Sequence, residues 1–336
     1  MKTHMQSIIL ILLSLLLAAS ESPARVEALL QPQDPNALRI AVVGDYGDGS
    51  QTEADVAALI HSWQPDYVLT VGDNNYPVGA AEDIDAVIGR FFNDYIAPYR
   101  GDYGDGAAAN QFFPALGNHD WGTTAGEPPV PQPYLDYFSL PDGPGQERYY
   151  DMRLGPVHIF TLDSDPHEPD GVAATSPQAR WLQDALAASD APWKLVVLHH
   201  APYSSGLHGS TTYMRWPFGE WGADAVLAGH DHDYERLDVD GLPYFVNGLG
   251  GDSRYWFLIP LPGSQARYNK DAGAMLIEAT PDQMTFQFIT RSGELIDSYT
   301  IDSAASNGAP LATQPPTQVK APRPNPFLRP SQRQVE

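Results

Sequence analysis

The sequence predicts an α/β fold of two packed mixed β-sheets flanked by helices, a single domain over residues 37–302. Three observations carry this. Five short apolar runs each end on a polar, ligand-type residue: Leu38–Val43 before Asp45, Tyr67–Val71 before Asp73, Phe112–Leu116 before Asn118, Trp193–Leu198 before His199-His200, and Ala225–Ala228 before His230. Stretches with helical spacing follow the first two, which makes right-handed βαβ units with parallel strands. The last third of the domain alternates apolar and polar residues, the period of half-buried strands.

Each element has a local reason. Thr52–Trp63 repeats apolar residues at Val56, Leu59, Ile60 and Trp63, with Ser50, Gln51 and Thr52 as its capping start. Glu82–Tyr95 forms a second helix, apolar at Ile84, Val87, Ile88 and Phe91. From Trp121 to Gly145 the chain is rich in Pro and Gly and reads as loop, with a turn of helix near Tyr134–Phe138. Arg148–Leu154 and Val157–Asp163 read as an antiparallel pair turned at Gly155-Pro156. Ser176–Ala188 is a helix with Pro177 at its first position and Trp181, Leu182, Ala185 and Leu186 on the buried face. A short helix through Trp216–Trp221 precedes Ala225–Ala228. Five segments near Tyr234–Val239, Pro243–Val246, Ala274–Ala279, Thr285–Ile289 and Leu295–Ile301 read as mostly antiparallel strands completing the second sheet.

The ends differ from the middle. Residues 1–20 hold Lys2, the apolar run Ile8–Ala19 and small residues before Ser20, the pattern of a secretory signal, with an uncleaved membrane anchor as the alternative. The run is short for a membrane span, so no stable span is expected after signal removal. Residues 21–36 read as a linker. Residues 303–336 are Pro-rich with few apolar residues and read as a disordered tail, a solvated end rather than a wall or membrane tether despite Lys320, Arg323, Arg329 and Arg333.

Composition excludes several chemistries. The chain has 42 acidic against 19 basic residues, a formal charge of −23, which argues against binding a nucleic-acid polymer and suits an exported protein. It has no cysteine, which removes disulfides, thiolate metal sites and cysteine nucleophiles together. No serine lies in a Gly-x-Ser-x-Gly setting.

What remains is a set of hard oxygen and imidazole donors at strand ends, where open α/β sheets put their chemistry. Asp45, Asp73, Tyr76, Asn118, His200, His230 and His232 are too many for one ion. Two ions sharing a carboxylate accommodate them at the ~3.5–4 Å separation of dinuclear hydrolases. Asp73 is the natural bridge, with donors on both sides in sequence. Strand alternation turns His199 away from His200, which makes His199 a structural residue. Asp120 and Asp231 read as turn carboxylates or partners that orient histidines. Asp163 has no assigned role. Trp121, Tyr203, Tyr213 and Trp216 lie in loops around the mouth, as stacking surfaces or as packing.

The order Gly44-Asp45-x-Gly47, Gly72-Asp73-x-x-Tyr76, Gly117-Asn118-His119-Asp120, Val197-x-x-His200, Gly229-His230-x-His232, followed by Tyr234-Glu235-Arg236, resembles the calcineurin-like metallophosphoesterases, and within them the purple acid phosphatases. The wider superfamily opens with Asp-x-His; here Gly47 stands in the histidine's place and Tyr76 would supply the missing ligand. The resemblance implies a four-layer αββα sandwich. It implies Fe³⁺ plus a divalent ion (Zn²⁺, Fe²⁺ or Mn²⁺), one at Asp45, Tyr76 and His232, the other at Asn118, His200 and His230, with Asp73 shared. It also implies phosphomonoester hydrolysis by in-line attack of a metal-bound hydroxide on a small-molecule phosphate ester, with His119 bonding the phosphate and His208 protonating the leaving group. Only residues 21–36 separate the signal from the first strand, so the β-sandwich domain of plant-type relatives is expected to be absent, as are the cysteines that pair in some relatives. A phosphodiesterase acting on nucleotides or lipid head groups is the alternative, and a non-catalytic metal- or phosphate-binding protein a remote one.

Overall fold

Leu38–Val43 (β1) is buried along all but its first residue, so it needs neighbours on both edges and cover on both faces. In the computed structural model, which describes residues 34–122 and 129–303, β1 pairs in parallel with Tyr67–Thr70 (β2) on one side, Ile40 opposite Tyr67. On the other side it pairs antiparallel with Gly273–Ala279 (β11), Ile40 opposite Ile277. Phe112–Pro114 (β3) continues the parallel run beyond β2. Gln283–Thr290 (β12) and Leu295–Asp302 (β13) extend the other edge, giving the order β13-β12-β11-β1-β2-β3.

The first crossover is Gln51–Trp63 (α1). Ser50 Oγ accepts the Glu53 N–H at 3.2 Å, meeting one of the helix's orphan donors, while the Glu53 carboxylate accepts the N–H of Gly49 just before the cap at 2.7 Å. Val56, Leu59, Ile60 and Trp63 are buried as their spacing predicts. The second crossover departs from the regular helix expected over 82–95. It is a π-turn at Asp85–Gly89, an α-turn at Arg90–Phe92 and a 3₁₀ turn at Asn93–Tyr95. A π-turn inserts an extra residue, and the register moves by one: Phe92 is buried where the helical spacing pointed to Phe91.

The second sheet has seven strands among the described residues. Its parallel centre is Val157–Thr161 (β5), Trp193–His200 (β6), Ala225–Gly229 (β7) and Leu242–Asn247 (β9). Tyr150–Leu154 (β4) pairs antiparallel with β5 as expected. Tyr234–Val239 (β8) and Ser264–Tyr268 (β10) complete the other side. The late strands therefore do not all join the second sheet: β8 and β9 do, while β11, β12 and β13 return to the first, because the second edge of β1 has no other partner. The edge strand β10, Ser-Gln-Ala-Arg-Tyr, turns only Ala266 and Tyr268 toward the core, too short an apolar alternation to reveal it.

The two sheets share one core. Phe245 stacks on Phe286 with centroids 4.6 Å apart and Tyr234 on Phe288 at 4.2 Å, while Trp193 Nε1 donates to the Thr280 carbonyl at 2.6 Å. On the outer face of the second sheet, Pro177–Ala188 (α2) and Phe218–Trp221 (α3) pack Ala179, Leu182, Leu186 and Phe218 against Phe160, Val196 and Val226. The signal, most of the linker and nearly all of the tail fall outside the described residues.

Ser176 caps α2 through the Ala179 N–H at 3.1 Å. Ser176→Ala is expected to cost about 1 kcal/mol in chemical denaturation with metal content unchanged; no loss would mean that Pro177 alone starts the helix.

Candidate metal centre

The candidate donors sit at or just past the carboxyl ends of parallel strands from both sheets. Asp45 follows β1, Asp73 follows β2 and Asn118 follows β3; the histidine pair closes β6, and His230 and His232 follow β7. Asp45, Asp73 and His230 adopt left-handed backbone angles, φ 55°, 52° and 71°. Such angles cost a non-glycine residue on the order of 1 kcal/mol and turn each side chain inward at the strand end. Glycines make the room: a Cβ on Gly229 would lie 2.5 Å from Asp45 Oδ2, and one on Gly117 would lie 2.2 Å from Asp73 Oδ1.

Two donor groups result, each with ligand atoms within 4.8 Å of one another: Asp45, Asp73 and His232, and Asp73, His199 and His230. Asp73 belongs to both. Its Oδ1 accepts the His119 N–H at 2.9 Å, and its Oδ2 lies 3.2 Å from both Tyr76 Oη and His199 Nε2. Tyr76 Oη is also 3.2 Å from His232 Nε2, joining the first group. Asn118 Oδ1 is 3.1 Å from His199 Nε2, joining the second. Asp45 takes the His230 N–H at 3.1 Å and lies 3.5 Å from His232 Nε2.

The histidine pair differs from the expectation. His199 is the one that faces Asp73 and Asn118, with its Nδ1 2.8 Å from the Val71 carbonyl. His200 instead sets Nδ1 2.9 Å from Ser164 Oγ, its ring 4.5 Å from that of His230, and is in neither donor group. The pairing of β6 with β7 shifts register between Val197 and His200, and strict alternation of faces stops there.

Position 47 is closed to any side chain. A Cβ there would lie 1.7 Å from the Asn74 carbonyl oxygen, so no side chain fits, and Tyr76 reaches the first group from the next loop instead.

The electrostatics suit cations. Burial, opposed by His199 and reinforced by Asp73, pushes the Asp45 carboxyl well above its usual range. Asp73 is also buried, yet His199 and His119 hold it below that range. Burial disfavours charge on His199, but Asp73 and Asp45 raise it to about 10, and both its ring nitrogens face oxygens. Positive charge on His199 is thereby favoured beside Asp73, 3.2 Å from its Oδ2. Burial, then Asp73 and Asp45, hold the Tyr76 phenol protonated, and a highly charged cation reverses that balance. His200 and His230 are held neutral, burial being the main cause and the neighbouring histidines adding to it; His200 falls to about 3.

Around the donors stand two further histidines. His119 ties Nδ1 to the Pro77 carbonyl at 2.6 Å and lies 4.4 Å from the Tyr76 ring. His208 is exposed and stacks on His230 at 4.3 Å. Its loop is pinned by Asp231, which accepts the His208 N–H at 2.7 Å, the Gly209 N–H at 3.1 Å and the Ser204 hydroxyl at 2.5 Å. Asp120 orients no histidine ring: it accepts from Gly117 N, Asn74 N and Asn74 Nδ2, tying two strand-end loops together. Asp163 accepts from Trp121 Nε1 at 3.0 Å. Trp121 and Trp216 are buried packing, whereas Tyr213 stands exposed with its hydroxyl on the Ser164 carbonyl at 3.2 Å. The sequence reading missed His199, Ser164 and Tyr255, whose ring stacks on His232 at 4.1 Å.

Two sheets whose strand ends converge on paired carboxylate and imidazole donors define a metallophosphoesterase. A model of the calcineurin-like phosphoesterase family matches residues 38–234, more than half of the chain, and the chain belongs to that family. It is 24% identical to tartrate-resistant acid phosphatase type 5 of Mus musculus over 76% of this chain and 88% of that protein. It is 26% identical to purple acid phosphatase 17 of Arabidopsis thaliana over 70% of this chain and 74% of that one. The structure of purple acid phosphatase PPD1 from yellow lupin seeds shares the fold, with a TM-score of 0.66 at 19% identity, covering 87% of this chain and 58% of that chain. The protein is a phosphoester hydrolase, and its candidate donor groups could hold metal ions.

Metal analysis separates the two histidines. His199→Ala is expected to lose one ion of the pair and His200→Ala to keep both; the opposite pattern would return the ligand role to His200.

Proposed function

We propose that the protein is a purple acid phosphatase-like phosphomonoesterase that holds Fe³⁺ at Asp45, Tyr76 and His232 and a divalent ion at Asn118, His199 and His230, with Asp73 between them. The observation that carries this reading is the Tyr76 hydroxyl, 3.2 Å from both Asp73 Oδ2 and His232 Nε2, beside a position 47 that admits no side chain. A phenol held protonated by burial and two carboxylates ionises only for a cation of high charge, and ferric iron is such a cation. The names of the relatives, acid phosphatases of animals and plants, support the monoester reading over the diester one.

Bound, the two ions supply an acidified water and neutralise charge on the phosphoryl oxygens. The chain's own groups do the rest. Asp45 and Asp73, fixed by strained backbone, set the ions' positions. His119, with Nδ1 committed to the Pro77 carbonyl, turns Nε2 toward the bridge and donates to a phosphoryl oxygen. His208, on the loop that Asp231 fixes, protonates the departing alkoxide, a contribution of roughly 10²–10⁴ in rate. No covalent phospho-enzyme is required. Export rests on the sequence of residues 1–20 alone.

The test is visible spectroscopy and turnover of the iron-loaded protein. Wild type is expected to be coloured and to cleave p-nitrophenyl phosphate faster than bis(p-nitrophenyl) phosphate, and Tyr76→Phe to fold without colour. A coloured Tyr76→Phe variant would move the ferric ligand elsewhere, and faster diester cleavage would overturn the monoesterase reading.

A further inference from the structure

Among the described residues, seven large apolar or aromatic side chains stand exposed, and four of them, Leu207, Trp256, Leu258 and Ile259, lie in two adjoining loops at one rim of the metal centre. The loops are joined by the Leu258 N–H on the Ser205 carbonyl at 2.8 Å and the Leu261 N–H on Ser205 Oγ at 2.9 Å. They are anchored to the site itself. The Tyr255 N–H bonds the His232 carbonyl at 2.9 Å, the Tyr255 ring stacks on His232, and Leu207 directly precedes His208. Trp256 is 77% exposed and Ile259 87%, so these side chains project outward rather than line a hollow for a small ligand. Soluble proteins rarely leave such a patch without a partner.

Charge identifies the partner. From Arg254 to Lys270 the chain has three cations, Arg254, Arg267 and Lys270, and no acid, in a protein with 42 acidic and 19 basic residues. All three cations are exposed. The nearest acids are set back from the strip: Asp252 lies 3.8 Å from His232 Nδ1, Asp271 pairs with Arg291 at 2.8 Å, and Glu235, opposite Arg267 on β8, is buried and accepts from the Ser205 and Ser264 hydroxyls. A protruding Trp-Phe-Leu-Ile-Pro tip flanked by cations has the chemistry of an interfacial anchor: the tip enters the boundary between headgroups and acyl chains while the cations meet lipid phosphates. A second copy of this chain is a poorer occupant, because a symmetric contact would bring the same cations face to face.

We propose that the strip Trp256–Pro262, with Leu207, docks the protein on an anionic lipid surface and holds the metal centre at its edge. This goes beyond the reading of the activity, and its readout is binding rather than turnover.

The chain has no cysteine, so Ile259→Cys gives a single thiol for an environment-sensitive fluorophore on the full-length protein. The label is expected to brighten and shift to the blue with vesicles of phosphatidylcholine mixed with phosphatidylglycerol, and less with phosphatidylcholine alone. The same label at Tyr103→Cys, an exposed residue outside the two loops, is expected to stay unchanged. Adding Trp256→Ser should weaken the vesicle titration about tenfold, and Arg254→Gln with Lys270→Gln should remove the preference for the anionic lipid. Turnover of p-nitrophenyl phosphate by the labelled protein should match wild type, showing an intact fold. The proposal is overturned if the label at 259 ignores vesicles, if the label at 103 responds equally, or if neutral and anionic vesicles act alike. A response at 259 that follows protein concentration without lipid also overturns it, since the face would then belong to a second copy.

Discussion

The structure depends on two carboxylates, Asp45 and Asp73, buried at the ends of adjacent parallel strands with too little positive charge of their own. Burying like charges together is costly unless a cation joins them. Everything around them reduces that cost or prepares for the cation. The His230 and His119 amides donate into them, His199 Nε2 lies 3.2 Å from Asp73, and glycines at 117 and 229 let the carboxylates approach the backbone. The second sheet packs where its histidines meet the first sheet's aspartates. The shared core of Phe245, Phe286, Tyr234 and Phe288 therefore serves the site as well as stability.

The absence of a side chain at position 47 shows how backbone packing selects chemistry. The Asn74 carbonyl occupies the space, and Tyr76, whose N–H bonds the Gly47 carbonyl at 2.8 Å, carries its phenol to 3.2 Å from Asp73 and His232, the place proposed for a ligand. Exchanging imidazole for phenol changes which ion the pocket prefers. A phenolate favours high charge, whereas a neutral imidazole suits divalent ions. One close backbone contact thereby bears on the metal, and through it on the strength of water activation.

Much of this was legible in the sequence because it is local. Each donor sits a fixed few residues past an apolar run, and Ser50 and Ser176 announce their helices where the structure starts them. What was not legible depends on partners distant in the chain. Nothing in Leu198-His199-His200 reveals that β6 slips register against β7, and it is His199, not the His200 that alternation points to, whose ring faces Asp73. Alternation marked β11, β12 and β13 as strands but not which sheet they would join, since that was decided by the open edge of β1. The π-turn that exchanges Phe91 for Phe92 satisfies packing, not periodicity. The apolar strip at Trp256 was in plain view in the sequence, yet only its exposure separates it from a core segment.

The central claim is that Asp73 bridges two ions, one on the Tyr76 side and one on the His199 side. Anomalous diffraction from crystals of the metal-loaded protein tests it most directly. The account predicts two peaks about 3.5–4 Å apart with an Asp73 oxygen between them, Tyr76 on one and His199 on the other. A single peak, or a second ion held by His200 with His199 turned away, would contradict it.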